Sequence, residues 1–196
     1  MQVSDPYLRH LVDLWSPPSI RYHTGTVIGF EGIEQELGLT LPRAYKELVH
    51  VYGQGAWFET IYILNPFYAW LENLEPWYSR QHGCGALKWC DRLRAERGQF
   101  PHDFIHPIYP EPGGIFPYAL FYGIRGTLYW LTSEPPDDWK SLFDLGGPSS
   151  QQEWETFDLS VTELLWRLAT EDKTVKRTCL EATIAGFRST IFSAIR

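Results

Sequence analysis

Apolar side chains recur along this 196-residue chain with spacings that alternate between those of helices and those of strands. The first helical stretch covers residues 6–15, where Asp5-Pro6 supplies an N-cap and a first-turn proline. The same reasoning predicts helices over 32–37, 42–52, 85–98 and 160–168, and a short helix or helical loop over 67–78. Helices therefore form a large part of the expected fold.

The best-defined local pattern runs from residue 32 to 65 and predicts two short helices followed by a strand. Gly38 falls where a helix needs a left-handed C-terminal residue, and Pro42 falls where the next helix begins. This second helix carries one apolar stripe, formed by Tyr45, Leu48, Val49 and Tyr52. Gly53 and Gly55 end it, and the aromatic and β-branched residues of 57–64 predict a single strand.

Four further strands are predicted, over 116–122, 127–132, 140–145 and 153–159. The first two flank a short connection with glycine at both ends, which indicates a hairpin. The expected fold class is α+β: a mostly antiparallel, twisted sheet of about five or six strands that helices pack against on one face.

One domain is expected over residues 1–172, because no Ser/Gly/Pro-rich linker divides the chain. Residues 173–196 form a basic tail that departs from this pattern. Its apolar residues share a helical face, although several of them also suit a strand: Leu180, Ile184, Phe187, Ile191 and Ile195. We predict a helix that packs on the domain or on a second copy, and the second arrangement implies a homodimer.

Composition predicts a cytoplasmic protein that is not inserted in a membrane. No apolar run reaches the roughly 18 residues of a membrane span, and the N-terminus lacks the order of a secretory signal. Cys84, Cys90 and Cys179 are an odd number, which fits free thiols in a reducing compartment.

The charge is distributed unevenly. Residues 1–172 carry 12 Lys/Arg against 23 Asp/Glu, a net charge of −11, whereas residues 173–196 carry 5 against 1, a net charge of +4. A body this acidic repels nucleic acid phosphates and attracts a basic protein by electrostatic steering. The acidic charge is also explained by solubility alone, and when only the charge is considered this interpretation is preferred to electrostatic steering.

No residue pattern predicts catalysis, a metal or a cofactor. The nearest candidates for a metal cluster are His82, Cys84, Cys90 and Asp91, whose cysteine spacing lacks the short repeat of a zinc site. His102 and His106 are bracketed by prolines, so they do not share a helical face. The sequence therefore predicts a non-enzymatic protein.

Nine tryptophans are too many for the core of a domain of this size, so some are expected at the surface. Surface aromatic residues beside carboxylates suit contact with a protein partner. The candidate partner-binding residues are Trp57, Glu59, Glu134, Asp137, Asp138 and Trp139. Two alternatives stay open: residues 134–139 form a solvated turn with one core anchor, or the tryptophans stack on sugar rings.

Two ordered blocks of the chain resemble the SUKH superfamily. The first has a helix ending in Leu37-Gly38, then Leu41-Pro42 and a helix containing Tyr45, then Gly53 and Gly55; the second spans residues 109–139 and the WETFDLSVTELLWRL stretch. The resemblance implies the same α+β fold and a binding function. The implied function is that of a bacterial immunity protein, which neutralises a toxin that is often a nuclease. The alternatives are a scaffold of the Smi/Knr cell-wall regulator type and a carbohydrate-binding module.

Overall fold

The computed structural model describes residues 3–24, 27–67, 85–121, 126–144, 154–173, 175, 180 and 192–194. Within these ranges the chain forms five α-helices: α1 (Pro6–Leu14), α2 (Val27–Leu37), α3 (Arg43–Tyr52), α4 (Gly85–Gln99) and α5 (Val161–Ala169). Short 3-10 helices cover Pro101–Asp103 and Pro136–Asp138. The five helices predicted from the spacing are confirmed, with α2 beginning before the expected start. The short helix expected over 67–78 lies, apart from Phe67, outside the described residues.

Several helix ends are fixed by residues that the sequence already identifies. The side chains of Asp5 and Ser160 each accept a hydrogen bond from a backbone N–H in the first turn of α1 and α5, at 2.7 and 3.2 Å. Gly53 ends α3 with φ +70°, and a Cβ atom there would lie 2.2 Å from the carbonyl oxygen of Tyr22. Glycine is required at this position because only glycine tolerates both the left-handed backbone and the close approach.

In the described part of the chain, seven strands form one open sheet in the order β6-β5-β4-β3-β2-β1-β7, and all neighbouring pairs are antiparallel. The strands are β1 (Gly55–Trp57), β2 (Ile61–Ile63), β3 (Ile115–Phe121), β4 (Thr127–Leu131), β5 (Lys140–Asp144), β6 (Trp154–Phe157) and β7 (Phe192–Ala194). The α+β class and the antiparallel sheet are confirmed. Strands β1–β6 correspond to the five or six strands that were expected. Strand β7, three residues long, adds a seventh strand beside β1.

Residues 57–64 do not form the single strand that the sequence predicts. The chain reverses after Trp57, so β1 and β2 form a hairpin in which Trp57 pairs with Ile61. At its tip Phe58 and Glu59 both have left-handed backbones, with φ of +52° and +57°. Tight hairpin turns are usually recognised in a sequence by an Asn-Gly or Asp-Gly pair, and residues 58–60 contain neither pair. The hairpin therefore escapes prediction from sequence.

Replacing Glu59 with glycine is expected to raise the free energy of unfolding by about 1 kcal/mol or slightly less. A left-handed backbone costs a residue with a Cβ atom about 1–2 kcal/mol, and the extra freedom of glycine in the unfolded chain offsets about half of this. Urea denaturation of E59G and of the control E59A measures the effect. E59A keeps the strain, so equal stability of the two variants would contradict the explanation.

Helices cover both faces of the sheet. Neighbouring residues of a strand point to opposite faces, so the side chains of Tyr129 and Trp130 in β4 do so. The ring of Trp130 lies 5.0 Å from that of Tyr45 in α3, whereas the hydroxyl of Tyr129 accepts a hydrogen bond of 3.3 Å from Trp89 Nε1 in α4. The expectation that helices pack on one face only is wrong. Every residue of β3 is buried, which is the pattern of a strand covered on both sides.

Helices α1, α3 and α5 form one layer on the face opposite α4. The hydroxyl of Tyr52 in α3 donates a hydrogen bond of 2.6 Å to the carbonyl oxygen of Trp15, just after α1. At the other end of α1, the carboxylate of Glu47 in α3 accepts hydrogen bonds from the backbone N–H groups of Ser4 and Asp5, at 2.9 and 3.0 Å. Hydrogen bonds to α3 thus hold α1 at both of its ends.

The basic tail contains a strand where the sequence predicts a helix. At residues 192–194 the prediction is wrong, because β7 pairs with β1, with Phe192 opposite Trp57. The open edge of β1 offers unpaired backbone groups, and pairing with them outweighs a local helical preference. Val175 and Leu180 are fully buried in the core of this domain. The other positions of the expected helical face lie outside the described residues: Ile184, Phe187, Ile191 and Ile195.

Candidate protein-binding surface

Residues 134–138, the acidic turn, project from the sheet between β4 and β5. The indole Nε1 of Trp139 donates a hydrogen bond of 2.6 Å to the carbonyl oxygen of Glu134, which closes the turn. The carboxylate of Asp137 accepts a hydrogen bond of 2.6 Å from the backbone N–H of Arg43 at the start of α3. Glu134, Asp137 and Asp138 are exposed, so the turn presents three carboxylates on a backbone held from two sides.

Trp139 and Trp57, two of the six predicted contact residues, lie in the core. Trp139 is only 7% exposed, and its ring lies 5.6 Å from that of Trp130. Trp57 is 1% exposed and packs 4.9 Å from the ring of Tyr52. The hypothesis that these rings are surface anchors is wrong, because both belong to the hydrophobic core. For residues 134–139 the alternative of a turn with one core anchor agrees with the structure.

Asp137 has a structural role that its position in a turn does not reveal. Helix α3 follows Pro42, which has no side-chain acceptor for the first N–H groups of the helix. Asp137 supplies that acceptor from 94 residues away. Its negative charge lies at the positive end of the helix dipole, which stabilises it. A charge reversal at Asp137 therefore disturbs α3 as well as any partner contact.

Glu59 lies at the opposite end of the sheet from the acidic turn. Ile61, just after the hairpin tip, pairs with Phe121 at the C-terminal end of β3, whereas Leu131, just before the acidic turn, pairs with Ile115 at its N-terminal end. A strand of this length spans about 20 Å. The structure therefore brings Glu134, Asp137 and Asp138 together and leaves Glu59 apart.

A second surface feature, the α1–α5 stripe, consists of Tyr7, His10 and Leu14 on α1 and Trp166 on α5. The ring of Trp166 lies 5.5 Å from that of Tyr7 and 5.6 Å from that of His10. His10 and Leu14 are exposed, and the other two side chains are half-buried. The i, i+3, i+7 spacing of Tyr7, His10 and Leu14 on α1 is the sequence signal from which the stripe could have been predicted. It was masked by the more apolar face of the same helix, and the pairing with Trp166 exists only in the folded chain.

An ion-pair network fixes the α5 side of the stripe. Arg167 bonds to Glu163 at 2.6 Å and to Asp172 at 2.8 Å, and these partners raise the pKa of its guanidinium, with Glu163 contributing most. A hydrogen bond with the Glu163 carboxylate and, next, burial raise the pKa of the Tyr7 hydroxyl. The charged side chains beside the stripe are thus already ordered in the free protein.

Of the four metal candidates considered in the sequence, Cys90 and Asp91 lie in the described part of the chain. Cys90 is buried, which raises the pKa of its thiol to about 12, and Asp91 forms an ion pair with Arg94. His82 and Cys84 lie outside the described residues. Among the residues that are described, no group of three or more His, Cys, Asp or Glu side chains is arranged to hold a metal ion.

One apolar cleft opens between α3, β3 and the start of α4. The Tyr45 hydroxyl, its main polar group, donates a hydrogen bond to the carbonyl oxygen of Leu64. Burial raises the pKa of this hydroxyl well above its usual value. The lining residues are Leu37, Leu41, Tyr45, Leu64, Pro66, Ala86, Phe116, Pro117, Tyr118 and Trp130. The cleft therefore offers packing contacts and no acid or base.

Comparison with known proteins gives no match: no family model, no curated protein and no solved structure is similar to this chain. In the described ranges, no helix has the length and apolar character needed to cross a membrane. The assignment of function therefore depends on the surface features described above and on the resemblance found in the sequence.

Proposed function

We propose that this chain is a non-enzymatic protein-binding domain of the bacterial immunity type, which neutralises a basic toxin domain by covering its active or substrate-binding surface. The observation that carries the proposal is the concentration of carboxylates around the helix layer. Segments 5–15, 134–140 and 158–173 together hold nine Asp/Glu and four Lys/Arg. Two of these segments, 5–15 and 158–173, also carry the half-buried Tyr7 and Trp166, which are residue types enriched in the centres of protein interfaces.

The proposal requires fast, salt-dependent association with a basic partner. Carboxylates raise the rate of encounter over about one Debye length, and aromatic anchors slow dissociation. The SUKH resemblance implies the class of partner, and the product of the gene beside the coding sequence is the probe. Co-expression with that gene product is expected to give a one-to-one complex in size-exclusion chromatography with light scattering.

Charge reversal tests the electrostatic part of the proposal. Asp138→Lys is expected to lower the association rate several-fold at low salt, because its exposed carboxylate belongs to one of the three acidic segments around the helix layer. Glu59→Lys is the matched control: it changes net charge equally, and Glu59 is exposed at the other end of the sheet. Stopped-flow mixing from about 0.05 to about 0.5 M salt measures both rates.

Three results would contradict the proposal. One is the absence of a complex with the neighbouring gene product, and another is an equal effect of both charge reversals. The third is salt-insensitive binding of oligosaccharides that a surface tryptophan substitution abolishes, which would favour a carbohydrate-binding module.

A further inference from the structure

We propose that the partner docks on the α1–α5 stripe and places an arginine side chain on the outer surface of the ring cluster formed by Trp166, Tyr7 and His10. This inference rests on the proposed function and names the contact surface and the partner chemistry. It moves the binding surface from the six predicted residues, of which two are in the core and one caps α3, to a site built by two helices.

The geometry of the stripe suits a guanidinium group. Tyr7, His10 and Trp166 form a cluster with ring centroids 5.5 to 6.5 Å apart. Tryptophan is the best aromatic partner for a cation, and arginine also stacks its planar group on the ring. Leu14 continues the stripe one turn along α1 and is 52% exposed, so it can cover the aliphatic stem of such a side chain.

Charge decides which exposed apolar site fits a basic partner. Residues 5–15 and 158–173, which carry the stripe, hold six Asp/Glu and three Lys/Arg. Among the described residues, the other exposed large apolar side chains are Ile20, which lies between α1 and α2, and the pair Phe100 and Ile105, on the loop that follows α4. Residues 85–111, which contain that loop, hold four Lys/Arg and four Asp/Glu. The α1–α5 stripe therefore attracts a basic protein, and the loop after α4 does not.

A capped hexaarginine peptide tests the site independently of the natural partner. Titration into the ¹⁵N-labelled full chain is expected to shift the indole N–H signal of Trp166, assigned by its loss in W166F, together with the backbone signals of α1. The indole signal of Trp89, on the opposite face of the sheet, serves as the internal control. Shifts at Trp89 without shifts at Trp166, or no shifts at all, would overturn the inference.

Variants in the toxin complex provide the second test. Leu14→Ser and His10→Ala are expected to weaken binding to the toxin. Trp166→Ala is expected to raise the dissociation constant roughly 30-fold, which is the effect of removing an interface hot spot. Trp166→Phe keeps an aromatic face and is expected to recover part of the affinity. Phe100→Ser is the matched control, because Phe100 is 51% exposed and lies after α4. Thermal denaturation of each free variant separates loss of contact from loss of folding.

The outcomes separate the two proposals. If no complex forms with the neighbouring gene product, the proposed function fails, and the peptide titration still decides whether the stripe binds arginine. If the complex forms and Leu14→Ser, His10→Ala and Trp166→Ala bind as tightly as the unmodified chain, the proposed function stands and the docking site is wrong.

Discussion

Trp139→Ala is expected to lower the free energy of unfolding by about 3–5 kcal/mol, the usual cost of truncating a buried aromatic side chain. The ring is 7% exposed and contacts Trp130, and its Nε1 closes the acidic turn through the carbonyl oxygen of Glu134. The substitution removes both contributions, so the turn loses its hold on the sheet. Urea denaturation followed by circular dichroism measures the loss.

Trp139→Phe separates packing from hydrogen bonding. Phenylalanine retains most of the apolar contact and loses the bond to Glu134, so a smaller loss of about 1–2 kcal/mol is expected. Exposed Asp138, replaced by alanine, is the control within the same turn and is expected to change stability by less than about 0.5 kcal/mol. A Trp139→Ala variant as stable as the control would show that the ring is a surface side chain.

Glu47→Gln is expected to lower the free energy of unfolding by about 2–3 kcal/mol at neutral pH, since hydrogen bonds to a charged group are the stronger ones. Glu47 is 9% exposed and accepts bonds from the backbone N–H groups of Ser4 and Asp5 and from the Ser4 hydroxyl. The side-chain NH₂ group of glutamine would face one or more of these hydrogen-bond donors and could not accept from them. Because Glu47 holds the start of α1 on α3, the variant also loosens the helix that carries Tyr7 and His10.

The effect of Glu47→Gln depends on pH in a defined direction. Burial acts to raise the pKa of this carboxyl, but hydrogen bonds from the Ser4 side chain and the backbone of Asp5 and Ser4 outweigh it and lower the pKa. The contribution of Glu47 is therefore complete above the ordinary glutamate pKa of about 4.3 and is lost as pH falls through the lower folded value. Denaturation curves from neutral to acidic pH are expected to converge for the two proteins.

Exposed Glu31 on α2 provides the control for this series. Glu31→Gln removes the same charge, and an exposed position is expected to change stability by less than about 0.5 kcal/mol. A difference between wild type and Glu47→Gln that stays constant down to strongly acidic pH would mean that the carboxylate form of Glu47 is not what holds α1.

Local chemistry explains which parts of the fold are predictable. Asp5 and Ser160 cap helices with their own side chains, and Gly53 meets a backbone requirement that only glycine satisfies. These devices act within a few residues, so the sequence displays them directly. The strands β3 to β6 are also predicted, because each is a short stretch between turn signals that contains aromatic or β-branched residues.

The candidate contact residues show where such reasoning stops. Trp57 and Trp139 are tryptophans next to acidic residues, and that pattern does not distinguish a core anchor from a surface anchor. Burial depends on which element lies against the ring: Tyr52 of α3 packs on Trp57, and Trp130 of β4 packs on Trp139. The capping of α3 by Asp137 is equally invisible, because 94 residues separate the two partners.

By itself, the sequence of this protein determined most helix limits, the strands β3 to β6, the α+β class and the acidic character of residues 1–172, because each depends on local spacing or composition. Only the tertiary structure decided that helices cover both faces of the sheet and that residues 192–194 join β1. It also decided that Tyr7 and His10 meet Trp166 on the surface. These features depend on contacts between segments distant in the chain, and side-chain type alone does not specify which segments meet.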